Sequence, residues 1–260
     1  MKYIIILAKK SIRKLSTYPY LMTFERLEFE KFINSNNFFN SPRSENKLNS
    51  SQIMDPDWKE SVPSTSDYLV AFSTRSQSYC VGYVDIVNST RISARLSVEK
   101  LSQYYEMFLN SMSKIIGKFG GKVIKNIGDC LLYYFPTSLN SSEYGMINCL
   151  DCGLAMTSAQ WAINEEMISK KLPNLQYRVS SDFGNVILMK TNVSSSVDLI
   201  GPPVNMCAKI NHYAEKNEFV IGNDLHQITK KFHEYNFEEI RSCDVGFRLQ
   251  YPIYRVTSKC

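Results

Sequence analysis

Two aspartates carry the chemistry for which this sequence can be read. Asp85 ends an apolar, β-branched run, Tyr79-Cys80-Val81-Gly82-Tyr83-Val84, and Asp129 follows a glycine between two short strand-like runs 44 positions later. An aspartate at a strand end is most often a turn or cap residue. Two of them side by side are a different matter, because like charges repel and displace each other's pKa values. A divalent cation removes that conflict. Mg²⁺ takes oxygen donors and is commonly held by one or two carboxylates together with phosphate oxygens. The pair is therefore read as a metal site for a nucleoside triphosphate, provided the intervening elements fold the two acids together.

Those elements have clear signals. Residues 78–84 read as a strand, and Asn88, Ser89 and Thr90 can start a helix. From Val98 to Phe119 the apolar residues Leu101, Tyr104, Tyr105, Phe108, Met112, Ile115, Ile116 and Phe119 recur at three and four, which predicts a helix with a broad buried face. Gly120-Gly121 stops it. Residues 122–127 and 130–135 predict a hairpin with Asp129 at its tip, Val123 and Lys125 on one face and Ile124 and Asn126 on the other. A second helix is expected from Tyr144 to Lys170, with Trp161 as a packing residue. Two short strands, residues 175–179 and 186–189, should flank a turn at Asp182-Phe183-Gly184-Asn185. A polar loop from Thr191 to Val197 leads to a helix over residues 204–213, on which Asn205 and Lys209 share a face. Glu218 to Ile221 reads as a strand, Asn223 as the cap of a short helix, and residues 232–240 and 251–256 as terminal strands. Strand, helix, strand, strand, helix, strand is the order of a split βαβ sandwich. The fold class expected is α+β and ferredoxin-like: an antiparallel central sheet with its helices on one face, plus a small C-terminal α/β extension.

Bulk properties narrow the function. The chain has 260 residues and is 44% hydrophobic, enough for one full domain and an extension. Its net charge of +5 is spread along the chain, without the basic block that a nucleic-acid groove requires. Residues 1–70 read as an N-terminal extension, a short helix over Leu21 to Phe32 followed by a flexible Asn/Ser-rich linker, and residues 71–260 as the folded domain. The initial apolar run is about six residues, too short to span a bilayer, and no later segment is an apolar run of about twenty, so a cytoplasmic protein without an integral membrane segment is expected. The seven cysteines are odd in number and several sit in apolar runs, as buried free thiols do in a reducing compartment. Cys149-x-x-Cys152 has the spacing of half a zinc site but lacks a second pair.

Three motifs together resemble the class III nucleotidyl cyclase catalytic domain, the adenylate and guanylate cyclase family, over about residues 76–257. They are Val84-Asp85-Ile86-Val87-Asn88-Ser89-Thr90, Lys125-Asn126-Ile127-Gly128-Asp129-Cys130 and Asp198-Leu199-Ile200-Gly201-Pro202-Pro203-Val204-Asn205. The resemblance implies that Asp85 and Asp129, with the backbone carbonyl of Ile86, bind two metal ions, Mg²⁺ or Mn²⁺. It implies that Lys125 and Asp198 read the purine, in the combination that suits adenine. Asn205 matches the asparagine that positions the ribose and the reacting phosphate. Lys209 stands where the family has a transition-state arginine, keeping the charge but losing the planar fork. Arg248 is the nearest candidate for the terminal-phosphate cation. The segment from Arg178 to Gly184 departs from the family's glycine and histidine pattern and is read as structural.

The activity so implied is adenylyl cyclase: ATP to 3′,5′-cyclic AMP and pyrophosphate, at sites shared by a head-to-tail homodimer. The alternative is a catalytically weak or inactive cyclase-like domain that binds nucleotide or a partner for regulation, a reading favoured by Lys209 and by the lack of a clean terminal-phosphate lysine.

Overall fold

The computed structural model describes residues 31–35, 38–39, 68–136, 142–243 and 250–259. Its organising element is β1 (Val70–Ile86), a 17-residue strand. A short helix α1 (Ser89–Ser93) leads into α2 (Val98–Lys118), followed by the hairpin β2 (Lys122–Ile127) and β3 (Cys130–Phe135). The long helix α3 (Ser142–Ser169) returns the chain to β4 (Tyr177–Thr191), which pairs with β5 (Ser194–Ile200). Then come α4 (Pro202–Asn211), β6 (Phe219–Gly222), α5 (Asn223–Thr229), β7 (Tyr235–Cys243) and β8 (Tyr251–Ser258). The strands form one sheet in the order β2-β3-β1-β4-β6-β8-β7, with β5 on the outer half of β4. Every pairing is antiparallel except β4 with β6. Among the described residues no helix is long and apolar enough to cross a membrane.

Sequence periodicity decides which face each element buries. Helix α2 is capped by Ser97, whose hydroxyl accepts from the Lys100 amide. It buries Tyr104, Met107, Phe108, Met112, Ile115 and Ile116, the three-and-four pattern of an amphipathic helix. Gly120, at φ +75°, ends it in a conformation that L side chains rarely adopt. Helix α3 is buried nearly all round, because α2 and the sheet enclose it, and Trp161 packs against this core. Together α2 and α3 cover one sheet face, lined by Cys80, Val84, Ile86, Tyr133 and Phe135. The opposite face carries a second cluster, with Tyr79, Val81, Leu132, Tyr134, Val186 and Leu188 under α4 and β5. The six described cysteines are buried free thiols, Cys149 and Cys152 among them.

Several expectations are corrected. The region around Asp182 is no turn: β4 runs through it unbroken. A carboxylate can sit inside a strand here because Asp182, 1% exposed, accepts hydrogen bonds from the Phe183 amide (2.9 Å), the Leu225 amide (3.2 Å) and the Tyr251 hydroxyl (2.7 Å). Most of the expected polar loop is strand β5, because pairing with β4 supplies the backbone partners that its serine-rich sequence does not advertise. Asn223 is the first residue of α5 rather than its cap, which is Gly222. The first strand begins eight positions earlier than expected, at Val70, since β4 extends to meet it. Phe38, placed in the linker by sequence, is 1% exposed. It packs edge-on against Phe32 and Phe39, and Lys114 donates to its carbonyl from α2. Residues 1–30, 36–37 and 40–67 of the expected extension and linker, and Cys260, lie outside the described residues.

Burial raises the Asp182 pKa from its ordinary 3.8 to about 6. Between those values the folded protein keeps a proton that the unfolded chain has released, so stability falls as pH rises through that window. The difference amounts to about 3 kcal/mol. Asp182→Asn is isosteric, keeps an acceptor for both amides and cannot titrate. Urea unfolding from pH 3.5 to 7.5 should therefore show a flatter stability profile for Asp182→Asn than for the wild type, with the gap opening between pH 4 and 6.

Candidate active site

The metal motif is assembled by strand register. Side chains on β1 alternate, so Cys80, Val84 and Ile86 enter the helical core while Tyr79, Val81 and Asp85 fall on the α4 face. Asp85 pairs with Cys130 at the start of β3. That residue follows the turn Gly128-Asp129, which is only two residues long. Gly128 has φ +62°, a positive value at the first turn position that matches a tight hairpin turn and favours glycine. The buried Ile86 donates its amide to the Asp129 carbonyl at 3.3 Å, tying the strand end to the hairpin tip.

The two carboxyl groups consequently meet. They lie within hydrogen-bonding reach, and the Asp85 pKa is pushed up to about 6, first by burial, then by the neighbouring Asp129 charge. Arg178 opposes this rise. It is the cross-strand partner of Asp85 on β4 and therefore shares its face. The sequence gives no register, so Arg178 had no signal that would place it there. Among the described residues no cluster of three or more His, Cys, Asp or Glu side chains is arranged to hold a metal. A protein that holds Mg²⁺ commonly does so with one or two carboxylates, the other positions going to water and phosphate oxygens.

Lys125 and Asp198 form a second group. The expected alternation would put Lys125 on the face of Val123, but the register slips at Ile124: Val123 opposes Tyr133, and Lys125 opposes Leu132. This bulge places Ile124 against the α4-side cluster and turns Lys125 to the same side, since Leu132 belongs to that cluster. There Lys125 Nζ donates to Asp198 Oδ2 from β5. The other carboxylate oxygen, Oδ1, accepts from the Leu199 amide at 2.8 Å, which fixes the plane of the carboxylate. With 43% and 21% of their side chains exposed, such a pair contributes about 0–1 kcal/mol. Stability does not account for it; what it offers is a donor beside an acceptor on an open edge.

The third group is on α4. Gly201 and the two prolines Pro202-Pro203 start this helix. Asn205 and Lys209, one turn apart, are both exposed on its outer face, while Pro203, Cys207, Ile210 and Asn211 are buried. Arg248 lies outside the described residues. The structure thus brings together Asp85, Ile86 and Asp129; joins Lys125 to Asp198; and aligns Asn205 with Lys209. A pair of acids in contact, a donor beside an acceptor, and an exposed amide and ammonium are thus set on one chain.

Comparisons with known proteins identify the family. The model of the adenylate and guanylate cyclase catalytic domain matches residues 72–257. A cytidylate cyclase from Staphylococcus aureus is 23% identical over 201 residues, covering 74% of this chain and 48% of that protein. A germination-specific adenylate cyclase from Dictyostelium discoideum is 29% identical over 178 residues, covering 66% of this chain and 19% of its own length. The chain therefore spans about half or less of the length of these curated relatives. The crystal structure of the adenylyl cyclase CyaB from P. aeruginosa superimposes with a TM-score of 0.63 at 22% identity, covering 72% of this chain and 97% of that one. With three motifs in order on this sheet and a family model spanning most of the chain, the protein belongs to the class III adenylate and guanylate cyclase catalytic domain family.

Proposed function

We propose that this domain is an adenylyl cyclase, converting ATP to 3′,5′-cyclic AMP and pyrophosphate at sites shared between two copies of the chain. The observation that carries the reading is the meeting of Asp85 with Asp129, an arrangement whose mutual repulsion a cation would relieve. Asp85 and Asp129, with the Ile86 carbonyl, would hold Mg²⁺ or Mn²⁺, two ions per site. Bound there, the ions supply Lewis acidity toward the ribose 3′-hydroxyl and offset charge on the triphosphate.

The chain's own groups then have distinct tasks. Lys125 donates to adenine N1 while Asp198 accepts from the 6-amino group; guanine and uracil present the opposite pattern on that edge. Asn205 orients the ribose, and Lys209 faces the phosphoryl oxygens, where negative charge grows. The 3′-oxygen bonds to the α-phosphorus, the bond to the bridging oxygen breaks, and pyrophosphate leaves with that electron pair while the hydroxyl proton passes to solvent. No covalent enzyme intermediate is needed; positioning and charge do the work.

In the head-to-tail dimer, the acids of one protomer face Asn205 and Lys209 of the other, giving two equivalent sites by two-fold symmetry. A strip of exposed apolar side chains on β1, β4 and β5, comprising Phe72, Ile187 and Ile200 at the end of the ladder away from Asp85, offers a surface for such association. Buried free thiols suit a cytoplasmic setting.

A second reading concerns the base. Cytosine offers an amino donor beside a ring-nitrogen acceptor, the same pattern as adenine, and a cytidylate cyclase is among the similar proteins. CTP therefore competes with ATP as the substrate.

Incubation of the purified chain with Mn²⁺ and each of the four ribonucleoside triphosphates tests both readings. Cyclic AMP is the expected main product, and GTP and UTP should react at least about 100-fold more slowly. Predominant cyclic CMP would reassign the substrate. Binding of ATP without any cyclic product would identify a domain that has lost turnover. The shared site has its own test. Asp85→Ala and Lys209→Ala should each be nearly inactive alone. Mixed in equal amounts, they should recover about a quarter of wild-type activity, since half the dimers would be hybrids with one intact site. Failure to complement would place the whole site within one chain.

A further inference from the structure

Helix α4 has two faces with different duties. Asn205 and Lys209 are four residues apart and exposed, whereas Cys207 and Asn211 are four apart and buried against the sheet. Asn211 is 1% exposed. Its Nδ2 donates to the Tyr83 carbonyl (3.4 Å), the Arg178 carbonyl (3.3 Å) and Ser180 Oγ (3.1 Å). Ser180 Oγ in turn donates to the Cys207 carbonyl at 2.9 Å, and Cys207 Sγ donates to the Val81 carbonyl at 3.0 Å. Tyr83 and Ser180 are opposite each other on β1 and β4, and the next rung in this face's register is Asp85 opposite Arg178. One side-chain amide therefore ties α4 to the backbone on either side of the seam that presents the metal-site acid.

We infer that Asn211 is a positioning residue for the cyclase reaction: it locks the helix bearing Asn205 and Lys209 to the strand bearing Asp85. The inference rests on the cyclase reading above. Apolar packing of Ile210 and Pro203 holds α4 to the sheet but is non-directional and tolerates sliding and rotation. Successive residues on a helix are about 100° apart, so a small roll of α4 swings the Lys209 ammonium well away from its target. Directional bonds to fixed backbone carbonyls prevent that roll.

The cost of this device is visible. Asn211 Oδ1 is buried without a hydrogen-bond partner, as is Arg178 Nε on the adjoining strand. An apolar residue of the same size would fill the space and remove this orphaned acceptor, giving up only the bonds that Nδ2 donates. A polar group kept at such a cost specifies an arrangement rather than adding to stability. In the shared-site dimer, each protomer lends its acids to one site and its α4 to the other, so Asn211 also sets the geometry of the two sites relative to each other.

A double-mutant cycle tests this. Asn211→Leu, matched in volume, is made alone and with Lys209→Ala, and kcat and KM are measured with the best of the four nucleotides. Asn211→Leu should lower kcat about 10- to 100-fold while leaving KM within about threefold. In the Lys209→Ala background the same change should cost almost nothing further, because the group it positions is gone. Ser180→Ala, which removes the hydroxyl between Asn211 and Cys207, should lower kcat in the same direction by a smaller factor, and it serves if Asn211→Leu does not fold. Phe38→Ala, on the opposite sheet face, should lower the Tm yet keep kcat. An equal loss of kcat in both backgrounds, or an unchanged kcat in Asn211→Leu and Ser180→Ala, would overturn the inference. A wild-type chain inactive with all four nucleotides would sink the cyclase reading instead, and the inference with it.

Discussion

Two carboxylates within hydrogen-bonding reach of each other, partly shielded from water, form the constraint on which the site depends. Left to themselves, Asp85 and Asp129 repel, and the burial that raises the Asp85 pKa adds to the penalty. Neither acid can move away. Asp85 is fixed in the middle of the sheet by ladders to both β3 and β4, and Asp129 is held by a two-residue turn bonded back to Ile86. The sheet therefore stores an electrostatic conflict, one that a divalent cation would resolve. Arg178, across the strand from Asp85, offsets part of it but does not abolish it.

Around this conflict the fold solves a separate problem, that of turning other groups to the same sheet face. A regular β2 would point Lys125 toward the helical core; the bulge at Ile124 points it toward β5 and Asp198. A regular helix–sheet contact would leave α4 free to roll; the bonds from Cys207 and Asn211 remove that freedom. The face opposite carries α2, α3 and the docked aromatic residues of the N-terminal segment, Phe32, Phe38 and Phe39. Structural burden and chemistry are thus divided between the two sides of one sheet.

Where a single physical pattern decides the outcome, the sequence could be read directly. Helix α2 was legible from its three-and-four periodicity and its terminal glycines, and the β2–β3 hairpin from two strand-like runs around Gly128-Asp129, though not the face of Lys125. The three motifs and the split βαβ order were legible because they are local and ordered. What escaped the sequence depends on partners distant in the chain. Asp182 looks like a turn residue until Tyr251 and Leu225 supply its hydrogen bonds from far downstream. The serine-rich β5 is a strand only because β4 is long enough to pair with it. The bulge at Ile124, the register that sets Arg178 opposite Asp85, and the role of Asn211 beneath α4 are all properties of pairing, which no window of neighbouring residues contains. Phe38 and Phe39 escaped for another reason: a two-residue aromatic step in a polar stretch has no period to detect.

The central claim is that the acid pair is a cation site, and the ionisation of Asp85 reports on it most directly. Carbon-13 NMR of the labelled Asp85 carboxyl, followed from pH 3 to 8, should give an apparent pKa of about 6 without divalent ions. With saturating Mg²⁺ it should fall below its ordinary 3.8, because a bound cation favours the charged form. A titration curve that is the same with and without Mg²⁺ would contradict the account, since it would mean that the two acids hold no ion between them.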